Sequence, residues 1–342
     1  MVGLWNIIRG HNSCDLLPIA VSLCLGTAVS SCIYEYEGDC IDQLPFTIEN
    51  DWQACPDASP EGIAYIFFPA DGGEAWRFDF PGRTAGKVSI EVGKYKFLSY
   101  NDDTYNVLFR DEGGYESYEA YTAEKDLLGA IPQDERGSSL PRSADERTVG
   151  CPDMMWSCAY CDFSLWYDGV RYAPYSIARA DTVMKYSPDF VLTAAQRQLT
   201  ARYRFRIEDI ENLSGVKSMS AALSGMAGAM MLASGRKEAY PSTLSLKASI
   251  IDQTTAGGEF YTFGIPGQPS ADNTLSLFVV IKDGRRFCYQ FDVTDQVRSA
   301  PDPMNVCLIV KGLTLEKPET GGGTGFDVAV DGWETVIMNI ND

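Results

Sequence analysis

The sequence predicts an all-β protein made of two tandem β-sandwich domains. Apolar and polar residues alternate with a period of two through most of the chain, the pattern of strands with one buried face. Turn residues interrupt these runs about every ten residues, as they do in a β-sandwich. The chain has 342 residues, long for one domain, and its 45% hydrophobic and 12% aromatic residues can fill two cores.

The strands of the first half are separated by clear turn signals. Asp71-Gly72-Gly73 and Pro81-Gly82 each follow an alternating run, and Gly93 breaks another. The predicted strands here are residues 62–69, 76–80, 87–92 and 95–100. Residues 115–128 are the one segment of this half for which we expect a short helix.

The second half repeats the pattern. The predicted strands are residues 198–207, 244–250, 259–264, 274–282, 285–293, 306–310 and 326–330. Asp283-Gly284 lies between two alternating runs and predicts a tight hairpin. For residues 219–234 we expect a strand, a bend at glycine and another strand. The outward face of 198–207 carries Arg202, Arg204 and Arg206, which we expect to pair with nearby acids on a solvated strand face.

A polar segment without apolar periodicity, residues 133–150, is the predicted domain boundary, although a long loop inside the first domain would have the same composition. The expected organisation is a signal peptide at 1–31, an acidic leader at 32–60, an N-terminal sandwich at 61–150 and a C-terminal sandwich at 151–342.

The N-terminal apolar run covers residues 16–29, which is too short for a bilayer-spanning helix of about 20 residues. A short apolar run followed by small residues is the pattern of a secretory signal. Its end, Val29-Ser30-Ser31-Cys32, resembles the lipobox of bacterial lipoproteins, in which the cysteine is acylated and becomes the first residue. Acyl chains would hold the protein at a membrane without any span. The alternative is a plain signal peptide with a chance cysteine.

The charge of the chain limits its partners. A net charge of −19 argues against nucleic acid, because binding it requires clustered Lys and Arg. The same charge is repelled by anionic membrane surfaces, so the expected membrane attachment rests on the lipid. Residues 33–76 contain ten Asp or Glu and no Lys or Arg. This acidity indicates either a solvated leader or, through Glu35, Glu37 and Asp39, a surface-export signal like that of some Bacteroidetes lipoproteins.

Seven cysteines follow Cys32, and an exported chain allows them to pair. The candidate disulfides are Cys40 with Cys55, and Cys288 with Cys307 on consecutive predicted strands. Cys151, Cys158 and Cys161 supply three of the four ligands that zinc requires, so no metal is predicted there. An oxygen-ligand calcium site at the turn Asn101-Asp102-Asp103 is a weaker hypothesis than simple backbone capping.

The sequence lacks the usual signatures of catalysis. His11 is the only histidine and precedes the expected cleavage point, which removes Ser-His-Asp and Cys-His chemistry. Nucleophile-elbow and phosphate-loop motifs are also missing. A pair of acids acting as a hydrolase is the one catalytic arrangement that these counts leave open. We expect no enzyme activity and no cofactor.

Several short motifs resemble one family. The lipobox, the acidic leader and a strand that ends in Phe-Pro before Asp-Gly-Gly resemble the fimbrillin-associated lipoproteins of Bacteroidetes. The segments beginning at Leu223 (Leu-Ser-Gly-Met-Ala), Thr262 (Thr-Phe-Gly), Phe291 (Phe-Asp-Val-Thr-Asp-Gln-Val) and Val330 (Val-Asp-Gly-Trp-Glu) are similar to an uncharacterised branch of that group. The resemblance implies transthyretin-like, Greek-key sandwiches, outer-membrane anchoring and a part in fimbriae or adhesion.

The resemblance favours an anchor over a fimbrial shaft subunit. Shaft subunits of this kind are cut after an early Arg, whereas the first Arg after Cys32 is Arg77, inside a predicted strand. The expected function is therefore a non-enzymatic, lipid-anchored surface protein that serves as a fimbrial anchor or adhesin. Its expected partners are a membrane, fimbrial subunits and a host or glycan surface. The alternative is a glycan-binding lipoprotein of a carbohydrate-uptake system, with Trp156, Trp166 and Trp333 as candidate stacking residues.

Overall fold

The computed structural model of the chain describes residues 43–84, 86–137, 146–174, 182–267, 272–319 and 332–338. These residues form an almost entirely β structure, which confirms the predicted fold class. In chain order the strands are β1 Gln43–Asp51, β2 Gly62–Pro69, β3 Trp76–Pro81, β4 Gly86–Glu91, β5 Gly93–Asn101, β6 Val107–Arg110, β7 Glu119–Thr122, β8 Arg147–Val149, β9 Trp156–Trp166, β10 Gly169–Pro174, β11 Thr182–Lys185, β12 Val191–Ala195, β13 Arg197–Gln198, β14 Ala201–Glu208, β15 Val216–Ala227, β16 Ala229–Met231, β17 Pro241–Leu246, β18 Ser249–Ile250, β19 Ala256–Thr262, β20 Thr274–Ile281, β21 Arg286–Asp292, β22 Asn305–Lys311 and β23 Glu334–Met338. A short helix, α1 Thr294–Arg298, and two 3₁₀ turns, Gln133–Glu135 and Leu213–Gly215, complete the described elements.

The first sandwich packs a small sheet against a large one. In the small sheet β1 lies between β12, to which it is parallel, and β4, to which it is antiparallel. The large sheet has the order β11-β10-β9-β5-β2-β3, and β13 adds to β9. Aromatic rings fill the space between the sheets, because the inward positions of β1, β2, β5 and β9 carry Phe46, Phe67, Phe97 and Phe163.

The second sandwich packs the sheet β18-β19-β14-β22 against the sheet β23-β21-β20-β15-β17-β8. Strand β14 alternates as predicted, with Tyr203, Phe205 and Ile207 buried in the core. Most of the other core side chains are aliphatic, such as Leu277 and Leu308. The Asp283-Gly284 hairpin between β20 and β21 is confirmed.

A fifth sheet, β16-β7-β6, connects the two sandwiches. Its side chains join the outer face of β2, β5 and β9 to the end of β15 in one hydrophobic cluster. The Tyr100 and Tyr118 hydroxyls lie 2.7 Å apart within this cluster, and Arg77 donates to the Tyr100 oxygen at 3.1 Å. The outer face of the large sheet is therefore buried where this cluster covers β2, β5 and β9.

Two local predictions have opposite outcomes. The strand, bend and strand expected in residues 219–234 are confirmed as β15 and β16, and the register of β15 shifts around Gly225, whose φ is 74°. The helix expected in residues 115–128 is wrong, because this segment contains β7 between β6 and β16. Its partner β16 is distant in sequence, and an ion pair between Glu119 and Arg110 joins β7 to the preceding strand β6.

The strand pairings cross the predicted domain boundary. Strand β9 begins after residue 150 and pairs with β5, while β8 at residues 147–149 pairs with β17 of the second sandwich. The assignment of 61–150 and 151–342 to separate domains stays a prediction. Residues 1–42, which include the signal and the first part of the leader, and the predicted strand at 326–330 lie outside the described residues.

Candidate functional site

The predicted lipid-attachment residues Val29, Ser30, Ser31 and Cys32 lie outside the described residues, and so does Cys40. Its proposed partner Cys55 is buried with a free thiol, and its Sγ donates to the carbonyl of Gln196 at 3.4 Å. Burial raises the pKa of this thiol above its usual value. The pairing of Cys40 with Cys55 stays a prediction.

The structure does not bring Cys288 and Cys307 together. Cys288 lies on β21, buried with Phe278 and Trp333, while Cys307 lies exposed on β22 in the opposite sheet. Both thiols are free. Only α1 lies between the two strands in the sequence, and the chain passes from one sheet to the other through this helix.

The three clustered cysteines differ in environment. Cys158 is buried in the first core, where burial raises its thiol pKa to about 12, whereas Cys161, three residues along β9, is exposed. Cys151 lies before β9, and burial raises its thiol pKa to about 12 as well. Within the described residues there is no group of three or more side chains arranged to hold a metal ion.

The Asn101-Asp102-Asp103 turn ties loops together through its side chains. Asn101 donates from Nδ2 to Asp103 Oδ1 at 2.7 Å and to the carbonyl of Met154 at 3.0 Å, and its Oδ1 accepts from the amide of Trp156. Asp103 Oδ2 accepts from the amide of Glu61 at 2.8 Å. These contacts support the capping interpretation over the calcium hypothesis, because the side-chain oxygens of Asn101 and Asp103 already accept protein donors.

The outward arginines of β14 have partners on β14 itself and on the two neighbouring strands. Arg202 makes a two-pronged contact with Glu259 of β19, at 2.8 and 2.7 Å. Arg206 pairs with Glu208 at 3.2 Å, and Arg204 donates to Asn305 of β22 at 3.4 Å. The predicted solvated face with acidic partners is therefore confirmed for Arg202 and Arg206.

A groove of about 620 Å³ lies where β17 and β19 meet the segments that precede β8 and β9. Its lining includes the half-buried Tyr261, the buried core residue Phe260 and the charged groups of Lys125, Lys247 and Glu259. Arg202 lowers the pKa of Glu259, which keeps that carboxylate ionised at the rim. An aromatic face beside fixed hydrogen-bonding groups is chemically suited to a sugar ring.

The wall of this groove is held by bonds between distant segments. Ser245 of β17 donates its hydroxyl to the carbonyl of Asp126 at 2.9 Å, and the Cys151 thiol donates to the carbonyl of Ser245 at 3.6 Å. Sequence reasoning missed the groove, because Lys125 and Tyr261 are far apart in the chain and neither belongs to a recognisable motif.

The three candidate stacking tryptophans are not equivalent. Trp156 is 8% exposed and contacts Trp52 edge to face, and Trp333 packs edge to face on Phe278. Trp166 is 36% exposed at the end of β9, next to Tyr167, which is 60% exposed. Of the three, Trp166 is the tryptophan whose surface is most available to a ligand.

None of the helices in the described ranges is long and apolar enough to cross a membrane.

A family model matches more than half of the chain. The model described as "Domain of unknown function (DUF5119)" matches residues 33–247. Among curated proteins, the chain is 32% identical over 94 residues to the "Putative fimbrium anchoring subunit Fim4B" of Bacteroides ovatus. That alignment covers 27% of this chain and 28% of the relative, so the chain spans less than a third of the relative's length.

A solved structure shares the fold. The crystal structure of "a putative adhesin" from Bacteroides ovatus superposes with a TM-score of 0.59 at 18% identity, covering 82% of this chain and 94% of that one. The fimbrial anchor protein Mfa2 from Porphyromonas gingivalis matches with a TM-score of 0.44 at 11% identity, over 79% and 90% of the two chains. The curated relative confirms the predicted resemblance to fimbrial anchor-like proteins of Bacteroidetes, and the putative adhesin shows that the fold is shared.

Proposed function

The chain belongs to the DUF5119 family, and from this premise we propose that it is a non-enzymatic, lipid-anchored cell-surface protein that serves as a fimbrial anchor. The relative named as a fimbrium anchoring subunit carries the proposal, because it is 32% identical over 94 residues. The lipobox-like Val29-Ser30-Ser31-Cys32 supplies the attachment point. The absence of histidine after residue 11 supports a role without catalysis.

The anchoring step is tested by expressing the full chain in a Bacteroidetes host and analysing the mature N-terminus by mass spectrometry. We expect an acylated Cys32 at the N-terminus, protein in the outer-membrane fraction, and loss of the protein when intact cells are treated with protease. Cys32→Ala should release the protein from the membrane, while the matched variant Cys40→Ala should stay bound. Membrane retention of Cys32→Ala would contradict the lipid anchor.

The fimbrial role is tested separately by purifying fimbriae from cells that express an affinity-tagged chain. We expect the tagged protein to co-purify with the fimbrial polymer and to cross-link to one of its subunits. Deletion of the gene should release fimbriae into the medium. Fimbriae that stay on the cells at wild-type levels without this chain would contradict the anchor role.

A second candidate function, glycan binding, is favoured by the groove at β17 and β19. Tyr261 and the charged groups around it match what a sugar ring requires. A glycan array probed with the purified chain tests this function, and Tyr261→Ala should abolish any binding found. The matched control is Tyr240→Ala, because Tyr240 is 79% exposed and does not line the groove. Equal binding by the two variants would exclude the groove as the site.

A further inference from the structure

One end of the first sandwich receives the chain from the proposed lipid anchor. The described structure begins with β1, and Gln43 at its start pairs with Glu91 at the end of β4. Cys32 precedes Gln43 by eleven residues, and a fully extended chain of that length reaches at most about 40 Å. A membrane contact near this end requires the lipid anchor at Cys32 and therefore rests on the proposed function.

The hairpin between β9 and β10 lies at the same end. Gly93 at the start of β5 pairs with Leu165 near the end of β9, and Trp166 pairs with Gly169 across the turn. Two hydrogen bonds of Tyr186 connect this turn to β1. Its amide donates to the carbonyl of Asp168 at 3.2 Å, and its hydroxyl donates to the carbonyl of Pro45 at 2.8 Å. The tip of the hairpin is therefore beside the point where β1 begins.

The tip presents two aromatic side chains to solvent. Tyr167 is 60% exposed and Trp166 is 36% exposed. The Trp166 indole lies against the backbone of Gly169, where an added Cβ would be 2.2 Å from the ring carbon Cε2. The indole therefore packs against the backbone of Gly169, which has no side chain in the way. A side chain at this position would displace the ring.

The charges around the tip are mixed. Lys94 on β5 pairs in register with Ser164, and Lys185 on β11 pairs with Gly169, which places two cations near the hairpin. Asp168 in the turn and Glu91 at the end of β4 supply acids at the same end. A surface of this kind does not select a strongly anionic membrane. Trp and Tyr concentrate at the boundary between lipid headgroups and acyl chains, because one end of each ring system is apolar and the other is polar.

We propose that the Trp166–Tyr167 hairpin docks on the surface of the bilayer that holds the acyl chains of Cys32. The lipid tether and the hairpin then form two separate contacts with the membrane. The tether supplies most of the affinity, because its acyl chains bury far more apolar surface than two side chains do. The hairpin fixes which end of the first sandwich faces the membrane, and it leaves the second sandwich and its groove free for other partners.

The test uses the acylated full chain reconstituted in phosphatidylcholine vesicles whose acyl chains carry bromine, which quenches tryptophan fluorescence at contact. We expect measurable quenching relative to unbrominated vesicles, and Trp166→Phe should remove at least half of it. The matched variant Trp333→Phe should keep the quenching, because Trp333 packs on Phe278 of the second sandwich. Thermal unfolding of each variant confirms that the fold is retained.

The outcomes separate this inference from the proposed function. If the full chain made in a Bacteroidetes host carries no acyl group and does not float with the vesicles, both the lipid anchor and the docking are contradicted. Acylated, vesicle-bound protein whose quenching is the same in wild type and Trp166→Phe contradicts the docking alone. Loss of the bromine-dependent quenching in Trp166→Phe but not in Trp333→Phe supports the docking.

Discussion

The two sandwiches reach a similar architecture with different core chemistry. Among the described residues, eight of the seventeen buried side chains of the first core are aromatic, against six of twenty-nine in the second. In the first core Phe67 contacts the rings of Phe97 at 5.0 Å and Phe163 at 5.4 Å between centroids. The second core instead interdigitates Leu, Ile and Val side chains on six-stranded and four-stranded sheets.

This difference shows two ways of filling the space between sheets. A few large rings each bury much area and make oriented contacts with several neighbours, so the loss of one leaves a large cavity. In a core of many aliphatic side chains, each residue contributes a smaller part of the stabilisation from buried apolar surface. The first sandwich should therefore depend more on single residues than the second does.

The largest expected effect comes from Phe67→Ala. Phe67 is fully buried, and its removal leaves the rings of Phe46, Phe97 and Phe163 around a cavity, so we expect a loss of about 3–5 kcal/mol in the free energy of unfolding. Urea denaturation measures the loss. Leu277→Ala in the second core is the matched control, with an expected loss of about 3 kcal/mol.

Hydrogen exchange then shows whether the cores are independent. Phe67→Ala should speed amide exchange in β2, β5 and β9 and leave β20 and β21 close to wild type. Leu277→Ala should do the reverse. Uniform acceleration in both sandwiches by either variant would contradict the separation of the two cores.

Alkaline pH should produce the next largest effect. Burial raises the pKa of Tyr65 and Tyr95 in the first sandwich, and of Tyr203 in the second, to about 12 each. A raised tyrosine pKa means that the folded state keeps a proton that the unfolded chain releases near pH 10. The stability from each group is therefore complete below pH 10 and is lost as the pH rises towards 12.

Tyr203→Phe isolates one of these groups. It should unfold like wild type at pH 8 and retain about 2–3 kcal/mol more stability than wild type at pH 12, since one pKa unit corresponds to 1.36 kcal/mol. Tyr65→Phe should differ, because Asn50 donates to the Tyr65 hydroxyl at 2.6 Å and loss of that bond costs about 1 kcal/mol at neutral pH. Parallel pH profiles for wild type and Tyr203→Phe would contradict the raised pKa.

Gly225→Ala tests the bend that interrupts β15 in the second sandwich. Gly225 has a φ of 74°, and an added Cβ would lie 2.7 Å from Nδ2 of the buried Asn273. We expect a loss of about 2 kcal/mol, from backbone strain together with the clash. Gly284→Ala is the matched control, because its φ is 95° and no atom lies within 4 Å of the added Cβ. An equal loss in both variants would show that backbone strain alone accounts for the effect.

The sequence predicts the parts of this fold that depend on local pattern. Alternation locates β2, β5, β14 and β22 closely, and Asp283-Gly284 specifies its hairpin without any tertiary information. The inward face of β14 follows from its period of two, and so does the outward row of arginines.

The rest depends on which strands meet, and local pattern does not contain that information. The parallel pairing of β1 with β12 joins residues more than a hundred apart, and the pairing of β7 with β16 turned an expected helix into a strand. Cys288 and Cys307 sit on successive predicted strands, yet α1 sends those strands to opposite sheets. The groove is assembled from Lys125, Cys151 and Tyr261, none of which carries a motif.

The smallest expected effect concerns the outer surface of the second sandwich, where Arg202 meets Glu259. Both side chains are more than 40% exposed, so the pair is screened by water and should contribute far less than any core residue. Arg202→Ala should lower the urea midpoint slightly at low salt, and the difference should vanish in 1 M salt, where charges are screened beyond about 3 Å. Because Arg202 lowers the pKa of Glu259, the contribution is present above the ordinary glutamate pKa and is lost as the pH falls through the lowered value. Arg204→Ala is the comparison variant: its hydrogen bond goes to the neutral Asn305 and its charge acts on Glu259 without a hydrogen bond, so its salt-dependent loss should be smaller than that of Arg202→Ala. A loss of stability in Arg202→Ala that persists in 1 M salt would mean that the side chain stabilises β14 by packing on Tyr261 and its neighbours. Packing on the surface of this sandwich would then stabilise the fold, as packing in the core does.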